Sequence, residues 1–439
     1  MYLYDYKILS WGDLMNNEVV LEESSVKTKR TNLNIAIIGI LMVILFGSYL
    51  VYSFNSKYMY NGKIANNLFV EDINISSITK EEAINLINEK YKPQTLSLSY
   101  NNDSFKIQPN DIDIKYNINE VVNDAYNYTK TDSYFENIKR FFDLKENSKS
   151  LALESFYDES KLSEVIQNIA NSINIDMKSA KVYVSNSGSI SVSKATIGKE
   201  LDIASTKEAI YDAIKNKDYK TIDLKVNIKE PKVTTEAAQS VNSLLAEFST
   251  KFSTDNENRV TNIKISANST SDVLLMPGEE FSYNNQTGKR TKANGYQDAP
   301  VIINGKLEQD VGGGVCQVSS TLFNSALYSG LDITSRRNHS LKSSYVSIGR
   351  DAMVSDGGSD FRFKNPYSHP VYIKNVVNDG VITSRVYGNA SDKKNISIKV
   401  EPYTKEGLEA AKTYIEYKDS SGAVISTQYI SNSVYKKPN

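Results

Sequence analysis

The longest uninterrupted apolar run lies near the N-terminus, where residues 33–54 contain no charged side chain. About 20 apolar residues in a helix are enough to cross the hydrocarbon core of a bilayer. Four basic residues flank the run, three before it and one after it: Lys27, Lys29, Arg30 and Lys57. Because basic flanks stay in the cytoplasm, the pattern predicts a cytoplasmic tail (1–32), a single transmembrane helix (33–54) and an extracytoplasmic C-terminal part.

Two alternatives remain for this segment. A cleaved signal peptide also begins with an apolar run, but this run is long and no A-x-A-like site follows it. The segment MYLYDYKILSWGDL has mixed character, and a start at Met15 would leave a short acidic-then-basic tail. We expect an uncleaved, single-pass anchor in the cell membrane.

In residues 60–230 the same succession of predicted elements occurs twice, a hairpin followed by a helix. Alternating apolar and polar residues predict two hairpins, in SLSYNNDSFKIQ and VYVSNSGSISVS. Each hairpin is followed by an apolar-Asp-Ile triplet and then by apolar residues at helical spacing, in DIDIKYNINEVVNDAYNY and ELDIASTKEAIYDAIK. We interpret this region as two related α+β modules with antiparallel sheets. Two copies would suit an extended polymeric ligand through avidity, and a rigid spacer from the membrane explains the repeat nearly as well.

The first module opens with LFVEDINISSITKEEAINLINEKY, residues 68–91. The pattern predicts a strand, a turn and a helix, with Ser77 as the helix cap and Glu81 and Glu82 in the first turn.

The pattern of apolar and polar residues changes after Pro231. The segment TTEAAQSVNSLLAEFSTKF predicts an amphipathic helix, so residues 231–261 are interpreted as a helical linker. Residues 262–388 alternate short strands with glycine-containing turns and one helix, which predicts an α+β domain. Residues 389–439 end in a hairpin around positions 419–422 and predict a small β appendage.

Charge and cysteine content narrow the possible partners. The chain has 51 Lys and Arg against 52 Asp and Glu, a formal net charge of -1, so no basic excess indicates nucleic acid as a partner. Cys316 is the single cysteine, which excludes an intramolecular disulfide and leaves a free thiol.

The densest chemical signal is DVGGGVCQVSSTLFNSALYSGLDI, in which three glycines precede Cys316. Apolar residues then recur at three- and four-residue spacing and predict a helix with one apolar face that ends at Gly330. A thiol in the first turn has a depressed pKa because the helix dipole favours its thiolate. Gly313 and Gly314 could turn N–H groups toward an oxyanion, and Gln317 could add a side-chain donor. The alternative is a lone cysteine that packs as a small hydrophobe.

A cysteine nucleophile needs a base, and the chain has two histidines. His339 lies in SRRNHSL, on a polar loop 23 positions after the cysteine, whereas His369 precedes a strand beside a proline. We favour His339 as the base, although a surface histidine is the competing interpretation. Three acidic residues could orient it, and we favour the first of them: Asp351, Asp356 and Asp360.

Three arginines flank these positions and could clamp a peptide carboxylate, unless they are merely solvated at the surface: Arg336, Arg337 and Arg350. One cysteine and two distant histidines do not readily supply a zinc site, so we expect no metal. No phosphate-binding loop or dinucleotide fingerprint is present, and no cofactor is expected.

At these residues the chain resembles the VanW domain family. The resemblance rests on MPGEEFSYN, APVIINGKL, GGGVCQVSSTLFN, NHSL and GRDAMV in this order, within about residues 262–388. Val315 and Phe323 stand where the family often has Ile and Tyr, and the G5 domain that often follows is not recognisable. The signature includes Ser319, which we add to the substrate-binding candidates. The upstream modules look like the peptidoglycan-binding domain that commonly precedes VanW domains.

The resemblance implies a bacterial cell-wall setting and an L,D-transpeptidase. Cys316 would attack the carbonyl of the diamino acid at position three of a peptidoglycan stem peptide, release the terminal D-Ala, and pass the acyl group to a neighbouring amine as a 3-3 cross-link. With water as acceptor the protein would be an L,D-carboxypeptidase. The alternative from another class is a non-catalytic, membrane-anchored peptidoglycan-binding protein.

Overall fold

The computed structural model describes residues 11–303 and 306–437 and has a mixed α+β fold. The chain folds into two compact units, the first of residues up to 172 and 201–226, the second of 173–200 and 227–439. The chain therefore passes from one unit to the other three times. The segment MYLYDYKILS lies outside the described residues.

The described residues form ten α-helices: α1 (Trp11–Phe54), α2 (Lys80–Lys90), α3 (Ile118–Asn127), α4 (Tyr134–Glu146), α5 (Glu159–Ile173), α6 (Ile203–Asn216), α7 (Thr235–Gln239), α8 (Glu257–Ser269), α9 (Tyr283–Thr287) and α10 (Val315–Tyr328).

Twenty-four strands are formed in the described part of the chain: β1 (Leu68–Val70), β2 (Ile73–Asn74), β3 (Leu96–Tyr100), β4 (Asp103–Ile107), β5 (Lys115–Tyr116), β6 (Lys149–Leu151), β7 (Ser155–Phe156), β8 (Lys181–Val184), β9 (Ile190–Ser193), β10 (Gly198–Leu201), β11 (Ile222–Asp223), β12 (Val226–Lys229), β13 (Ser243–Lys251), β14 (Val273–Leu275), β15 (Glu280–Ser282), β16 (Asp298–Ile303), β17 (Lys306–Val311), β18 (Asp332–Ser335), β19 (Arg362–Lys364), β20 (Val371–Asn378), β21 (Val381–Gly388), β22 (Ile396–Lys405), β23 (Leu408–Lys418) and β24 (Val424–Tyr435).

The apolar N-terminal run is helical, as predicted. Arg30–Met59 is long and apolar enough to cross a membrane, and the side chains of its most apolar stretch are not buried in the protein. The helix ends in a π-helical turn, Asn55–Met59. Length and composition fit a membrane span, which remains a proposal.

The first unit contains small sheets covered by helices. Its core includes Leu68, Val70, Ala83 and Ile87, all fully buried, and β1 and α2 each pack against α3 with their apolar residues inward. The cap of α2 is Thr79 rather than Ser77: the Thr79 side chain accepts from the Glu82 amide, and the Glu82 carboxylate accepts from the Thr79 amide.

Both predicted hairpins are present, as β3–β4 and β8–β9. The expectation of purely antiparallel sheets was wrong, because β1 pairs with β6 and β11 pairs with β3 in parallel. Parallel pairing needs a long crossover, and helices supply it in both cases. The hairpin β8–β9 belongs to the second unit whereas α6 belongs to the first, so the pattern interpreted as a second module is divided between them.

The second unit is built on a four-stranded sheet with the order β13-β21-β20-β14, antiparallel throughout. Helix α10 packs on β13 and β21, and α8 packs on β20. Every residue of α10 is buried except Cys316 and Tyr328. The sequence predicted one apolar face, but α10 is covered on all sides and its polar residues are buried in hydrogen bonds.

Strand β13 corrects the prediction of one long helix in residues 234–252. Only Thr235–Gln239 is helical, and Ser243–Lys251 pairs with β21, from Ser243 opposite Gly388 to Lys251 opposite Val381. The apolar residues of this segment fit a helix or a strand. Pairing with β21, which lies 130 or more residues later, stabilises the strand.

Residues 396–435 form a three-stranded antiparallel meander, β22–β23–β24, with the predicted turn between β23 and β24. This C-terminal sheet is more than an appendage. Thr413 donates to the Gly349 carbonyl at 2.9 Å, and the Gly349 amide donates to the Tyr435 hydroxyl at 2.7 Å.

Candidate active site

The three glycines before α10 allow the chain to pass close to its neighbours. Gly312 and Gly314 have φ of 95° and 105°, and Gly314 is the N-cap of α10. A Cβ on Gly313 would lie 2.6 Å from the Pro300 carbonyl oxygen, and one on Gly314 would lie 2.9 Å from Ile263. These contacts fix the start of α10 against β16 and α8, and Cys316 therefore lies in the first turn.

The Cys316 thiol is half-buried and faces the loop that carries His339. Its Sγ lies 3.4 Å from the Val354 carbonyl oxygen, to which a protonated thiol donates. Its side chain also forms a hydrogen bond with His339. Residue Cys316 is thus only partly exposed, with the His339 imidazole beside its sulfur.

Asp351 holds the other side of the imidazole. Nδ1 of His339 lies 2.6 Å from Oδ2 of Asp351, and the His339 backbone amide donates to the same oxygen at 2.6 Å. Because Nδ1 faces the carboxylate, Nε2 is the nitrogen left for the sulfur. Sulfur, imidazole and carboxylate form a continuous chain of hydrogen bonds, the arrangement of a nucleophile, its base and an orienting acid.

The pKa shifts of the three groups all favour the charged form of the group. Burial raises the pKa of Cys316, but the hydrogen bond and charge of His339 outweigh it, so the thiol pKa is lowered. Burial lowers the pKa of His339, and its hydrogen bonds to Asp351 and Cys316 reverse this and raise the pKa to about 10. Burial raises the pKa of Asp351, whereas His339 and Arg336 lower it overall. These shifts favour a thiolate beside an imidazolium.

Asp351 is fully buried, and four groups compensate its charge. Besides the two His339 contacts, Arg336 Nη2 lies 2.9 Å from Oδ1, and the Tyr435 hydroxyl donates to Oδ1 at 2.6 Å. The Arg336 side chain is only 3% exposed, and its Nη1 donates to the Ser433 hydroxyl at 2.7 Å. Strand β24 thus supplies the serine and the tyrosine that complete the surroundings of this carboxylate.

Tyr435→Phe is expected to lower the free energy of unfolding by about 1–3 kcal/mol. The change removes a donor from buried Asp351 and leaves the Gly349 amide without an acceptor, and unsatisfied buried polar groups cost about this much. Urea unfolding would measure the loss. Tyr429→Phe is the matched control, because Tyr429 lies on the same strand and is 55% exposed. Equal midpoints for both variants would contradict a structural role for the Tyr435 hydroxyl.

Gln317 and Ser319 are buried and already bonded within the protein. Both Nε2 hydrogens of Gln317 have acceptors, the Thr250 hydroxyl at 3.0 Å and the Lys251 carbonyl at 2.9 Å, so its side chain has no donor for an oxyanion. The Ser319 hydroxyl donates to the Ala352 carbonyl at 2.6 Å and so ties α10 to the segment that carries Asp351.

The arginines singled out in the sequence do not surround the thiol. Arg337 is exposed, and Arg336 is bound to Asp351. Arg350 donates to the Asn324 side chain and lies over the rings of Phe248 and Tyr328, at 5.2 and 5.1 Å. Asn324 is eight positions after Cys316, or about 12 Å along α10, so Arg350 is bound far from the sulfur.

Two other arginines and a tyrosine lie around the first turn of α10 instead. Arg290 carries a positive charge that lowers the pKa of Cys316, and its buried side chain pairs with Asp356 at 2.8 Å. Arg259 donates to Gln317 Oε1 at 2.7 Å. The Tyr345 ring lies 6.5 Å from the His339 ring, and burial and the Cys316 charge raise the pKa of Tyr345. The spacing of these three residues from Cys316 along the chain carries no signal of this arrangement.

His369 is placed elsewhere, with Nδ1 3.0 Å from Asp392. Within residues 11–303 and 306–437, no group of three or more His, Cys, Asp or Glu side chains is placed to hold a metal ion.

Comparison with known families matches two parts of the chain. Residues 258–387, which include the glycines, Cys316, His339 and Asp351, match the family model described as VanW like protein. The chain carries a VanW-like domain. Residues 105–223 match a second model, described as "Putative peptidoglycan binding domain". A VanW-like domain and a peptidoglycan-binding domain together support a cell-wall-related function.

Two relatives support the assignment of the VanW-like domain. Over 145 residues the chain is 44% identical to YoaR of Bacillus subtilis (strain 168), an uncharacterized protein; the match covers 33% of this chain and 48% of YoaR. Over 138 residues it is 33% identical to Vancomycin B-type resistance protein VanW of Enterococcus faecalis (strain ATCC 700802 / V583), which covers 30% of this chain and 50% of that protein. The chain thus spans about half the length of these relatives. No solved structure matches it significantly.

Proposed function

We propose that the protein is a membrane-anchored, extracytoplasmic cysteine acyltransferase that acts on peptidoglycan stem peptides as an L,D-transpeptidase. The proposal rests on the hydrogen-bonded triad of Cys316, His339 and Asp351, in which Cys316 lies at the start of a buried helix. The lowered thiol pKa supplies a nucleophile at neutral pH, and the raised imidazole pKa supplies a general acid.

In the first half-reaction, the Cys316 thiolate attacks the carbonyl carbon of the diamino acid at stem position three. The bond from this carbon to the nitrogen of the terminal D-Ala breaks, His339 gives its proton to that nitrogen, and a thioester remains on Cys316. In the first turn of α10 the Val315 and Gln317 amides donate to the Gly312 and Gly314 carbonyls, so among the described residues the Cys316 amide is the one left to stabilise an oxyanion.

In the second half-reaction, the side-chain amine of a neighbouring stem attacks the thioester. Neutral His339 takes a proton from this amine, the carbon–sulfur bond breaks, and the thiolate returns beside the imidazolium. The product is a 3-3 cross-link. Water as the acceptor would give an L,D-carboxypeptidase by the same steps.

The membrane anchor belongs to the proposal. The 33–54 helix would hold the chain in the cell membrane with residues 1–32 in the cytoplasm, and the peptidoglycan-binding domain would engage the wall. An integral anchor resists extraction from membranes at alkaline pH; release of the chain under these conditions would contradict it.

The full-length protein in detergent, incubated with muropeptides that carry tetrapeptide stems, is expected to release D-Ala and form dimers. Mass spectrometry would detect both products, and Cys316→Ala is expected to give neither. Cys316→Ser is a closer control, since it replaces the thiol with a hydroxyl, a smaller group of the same shape that is a much weaker nucleophile. D-Ala without dimers would identify a carboxypeptidase. Co-sedimentation with peptidoglycan without either product would identify a non-catalytic binding protein.

A further inference from the structure

The Arg259 side chain extends from the first turn of α8 toward the start of α10. The Asn256 side chain caps α8 by accepting from the Arg259 amide at 2.9 Å. A Cβ on Gly314 would lie 3.1 Å from Cγ of Arg259. The absence of a side chain at Gly314 therefore lets the arginine stem cross directly over the turn that carries Cys316.

The orientation of the guanidinium is fixed by a buried amide. Gln317 is 1% exposed, and its two donated bonds hold its oxygen toward Arg259 Nη2 at 2.7 Å. A neutral amide that is anchored at both ends orients an arginine without neutralising it. Gln317, adjacent to the nucleophile, is thus a positioning residue for Arg259.

The positive charge of Arg259 has no counterion in the part of the chain that the structure describes. No Asp or Glu carboxylate there lies within 4.0 Å of its guanidinium, unlike those of Arg290 and Arg336. Apart from the bond to Gln317, its N–H groups meet no acceptor among these residues and are not sealed from solvent. Burial of its stem lowers the pKa of Arg259, and the neighbouring Tyr345 phenol offsets only part of this. A half-buried, uncompensated guanidinium is costly unless an anionic group binds there.

The positive charge lies at the first turn of α10, because Arg259 is bound to Gln317, the residue after the nucleophile. Tyr345 interacts electrostatically with both Cys316 and Arg259, and its ring meets the His339 ring edge-on. In a stem peptide, only three bonds separate the scissile carbonyl carbon from the carboxylate carbon of the terminal D-Ala, about 4 Å. An arginine held at the turn that carries the cysteine is therefore suitably placed to bind that carboxylate while the sulfur attacks the carbonyl.

We propose that Arg259 binds the terminal carboxylate of the residue that leaves, so that the site takes peptides with a free C-terminal carboxylate next to the scissile bond. This inference rests on the proposed function for its substrate. The binding of a carboxylate beside Cys316 can nevertheless be tested without any turnover.

The test compares alkylation of Cys316 by iodoacetate, which is anionic, with alkylation by iodoacetamide, which is neutral. Cys316 is the single cysteine, so the label reports one site. In Arg259→Gln the iodoacetate-to-iodoacetamide rate ratio at pH 7 is expected to fall about tenfold or more, as expected for a lost charge-assisted hydrogen bond. Lys264→Gln is the matched control, because Lys264 is exposed on the same helix and loses the same charge. An equal ratio in wild type and Arg259→Gln would overturn the proposal.

A second measurement needs no variant and so does not depend on the folding of Arg259→Gln. D-alanine is expected to protect wild-type Cys316 from iodoacetamide, and D-alaninamide is expected not to protect it. Equal protection by the two compounds would overturn the proposal. Slow alkylation by both reagents, at the rate of an ordinary thiol, would instead count against the proposed function.

With stem peptides, Arg259→Gln is expected to raise KM about tenfold for a free terminal carboxylate and to leave an amidated peptide unaffected. Equal effects on both peptides would contradict carboxylate binding. Absence of turnover in the wild type would sink the proposed function, while the alkylation ratio would still decide the role of Arg259.

Discussion

His339→Gln is expected to slow alkylation of Cys316 by iodoacetamide at pH 7 by about thirtyfold or more. Without the imidazole, the thiol pKa returns to at least its ordinary value of about 8.5, so about 3% of the sulfur is thiolate at pH 7. Burial, the largest influence on this thiol, would raise its pKa further. Acyl transfer would fall by about 10²–10⁴-fold, because the variant also lacks its general acid and base.

The pKa shifts of Cys316 and His339 also predict how the alkylation rate and the acyl-transfer rate change with pH. The lowered pKa of Cys316 is expected to move the rise of the wild-type alkylation rate to a lower pH than for an ordinary thiol. Acyl transfer is expected to fall as pH rises through about 10, because His339 then loses the proton that the leaving amine needs. In His339→Gln, alkylation would rise with pH like that of a simple thiol.

The chain provides a matched control for this substitution. His369→Gln removes the other histidine, which pairs with Asp392, and is expected to leave both profiles unchanged. A wild-type alkylation profile that follows an ordinary thiol, and that coincides with the profile of His339→Gln, would contradict the ion pair.

Asp351→Ala is expected to lower the free energy of unfolding by about 3–5 kcal/mol, as found when one partner of a buried ion pair is removed. Asp351 is 0% exposed, and its loss leaves the Arg336 guanidinium, 3% exposed, without its counterion. The Tyr435 hydroxyl and the His339 amide lose their acceptors as well. Urea unfolding would measure the change through the transition midpoint and slope.

Glu280→Ala is the control for an exposed pair in the same unit. Glu280 and Arg362 have side chains 40% and 44% exposed, so this change is expected to cost at most about 1 kcal/mol. The pKa of Asp351 is lowered in the folded protein, so its charge stabilises the fold above the ordinary carboxyl pKa, and this stability is lost as pH falls. Equal unfolding free energies for Asp351→Ala and Glu280→Ala at pH 7 would refute the assigned role of the buried pair.

Local pattern was sufficient for several elements near the site. The spacing of apolar residues after three glycines predicted α10, with Cys316 at or just before its first turn, and the structure places Cys316 in that turn. Few candidates competed with His339 for the role of base, because the chain has two histidines. Asp351 was one of three acidic candidates, and the structure places the other two elsewhere, Asp356 with Arg290 and Asp360 with Ser282.

The rest depends on contacts between residues far apart in the chain. Arg259 lies 57 positions before Cys316, and Tyr435 lies 84 after Asp351, so no motif spacing joins them. Arg337 and Arg350 were favoured because they flank His339 and Asp351 in sequence, yet one is exposed and the other is held against Asn324. Strand β13 was misread because its partner strand lies far along the chain.

The contact between β24 and Asp351 sets an order of events for a chain that emerges from its N-terminus onward. A growing chain that has reached residue 388 contains the whole VanW-like match, yet Ser433 and Tyr435 have not been made. Until they dock, Asp351 lacks one donor and Arg336 lacks its bond to Ser433, so the imidazole is not held firmly against the thiol. We expect Cys316 to stay unreactive while the rest of the chain is being synthesised, and to become reactive only when β24 docks.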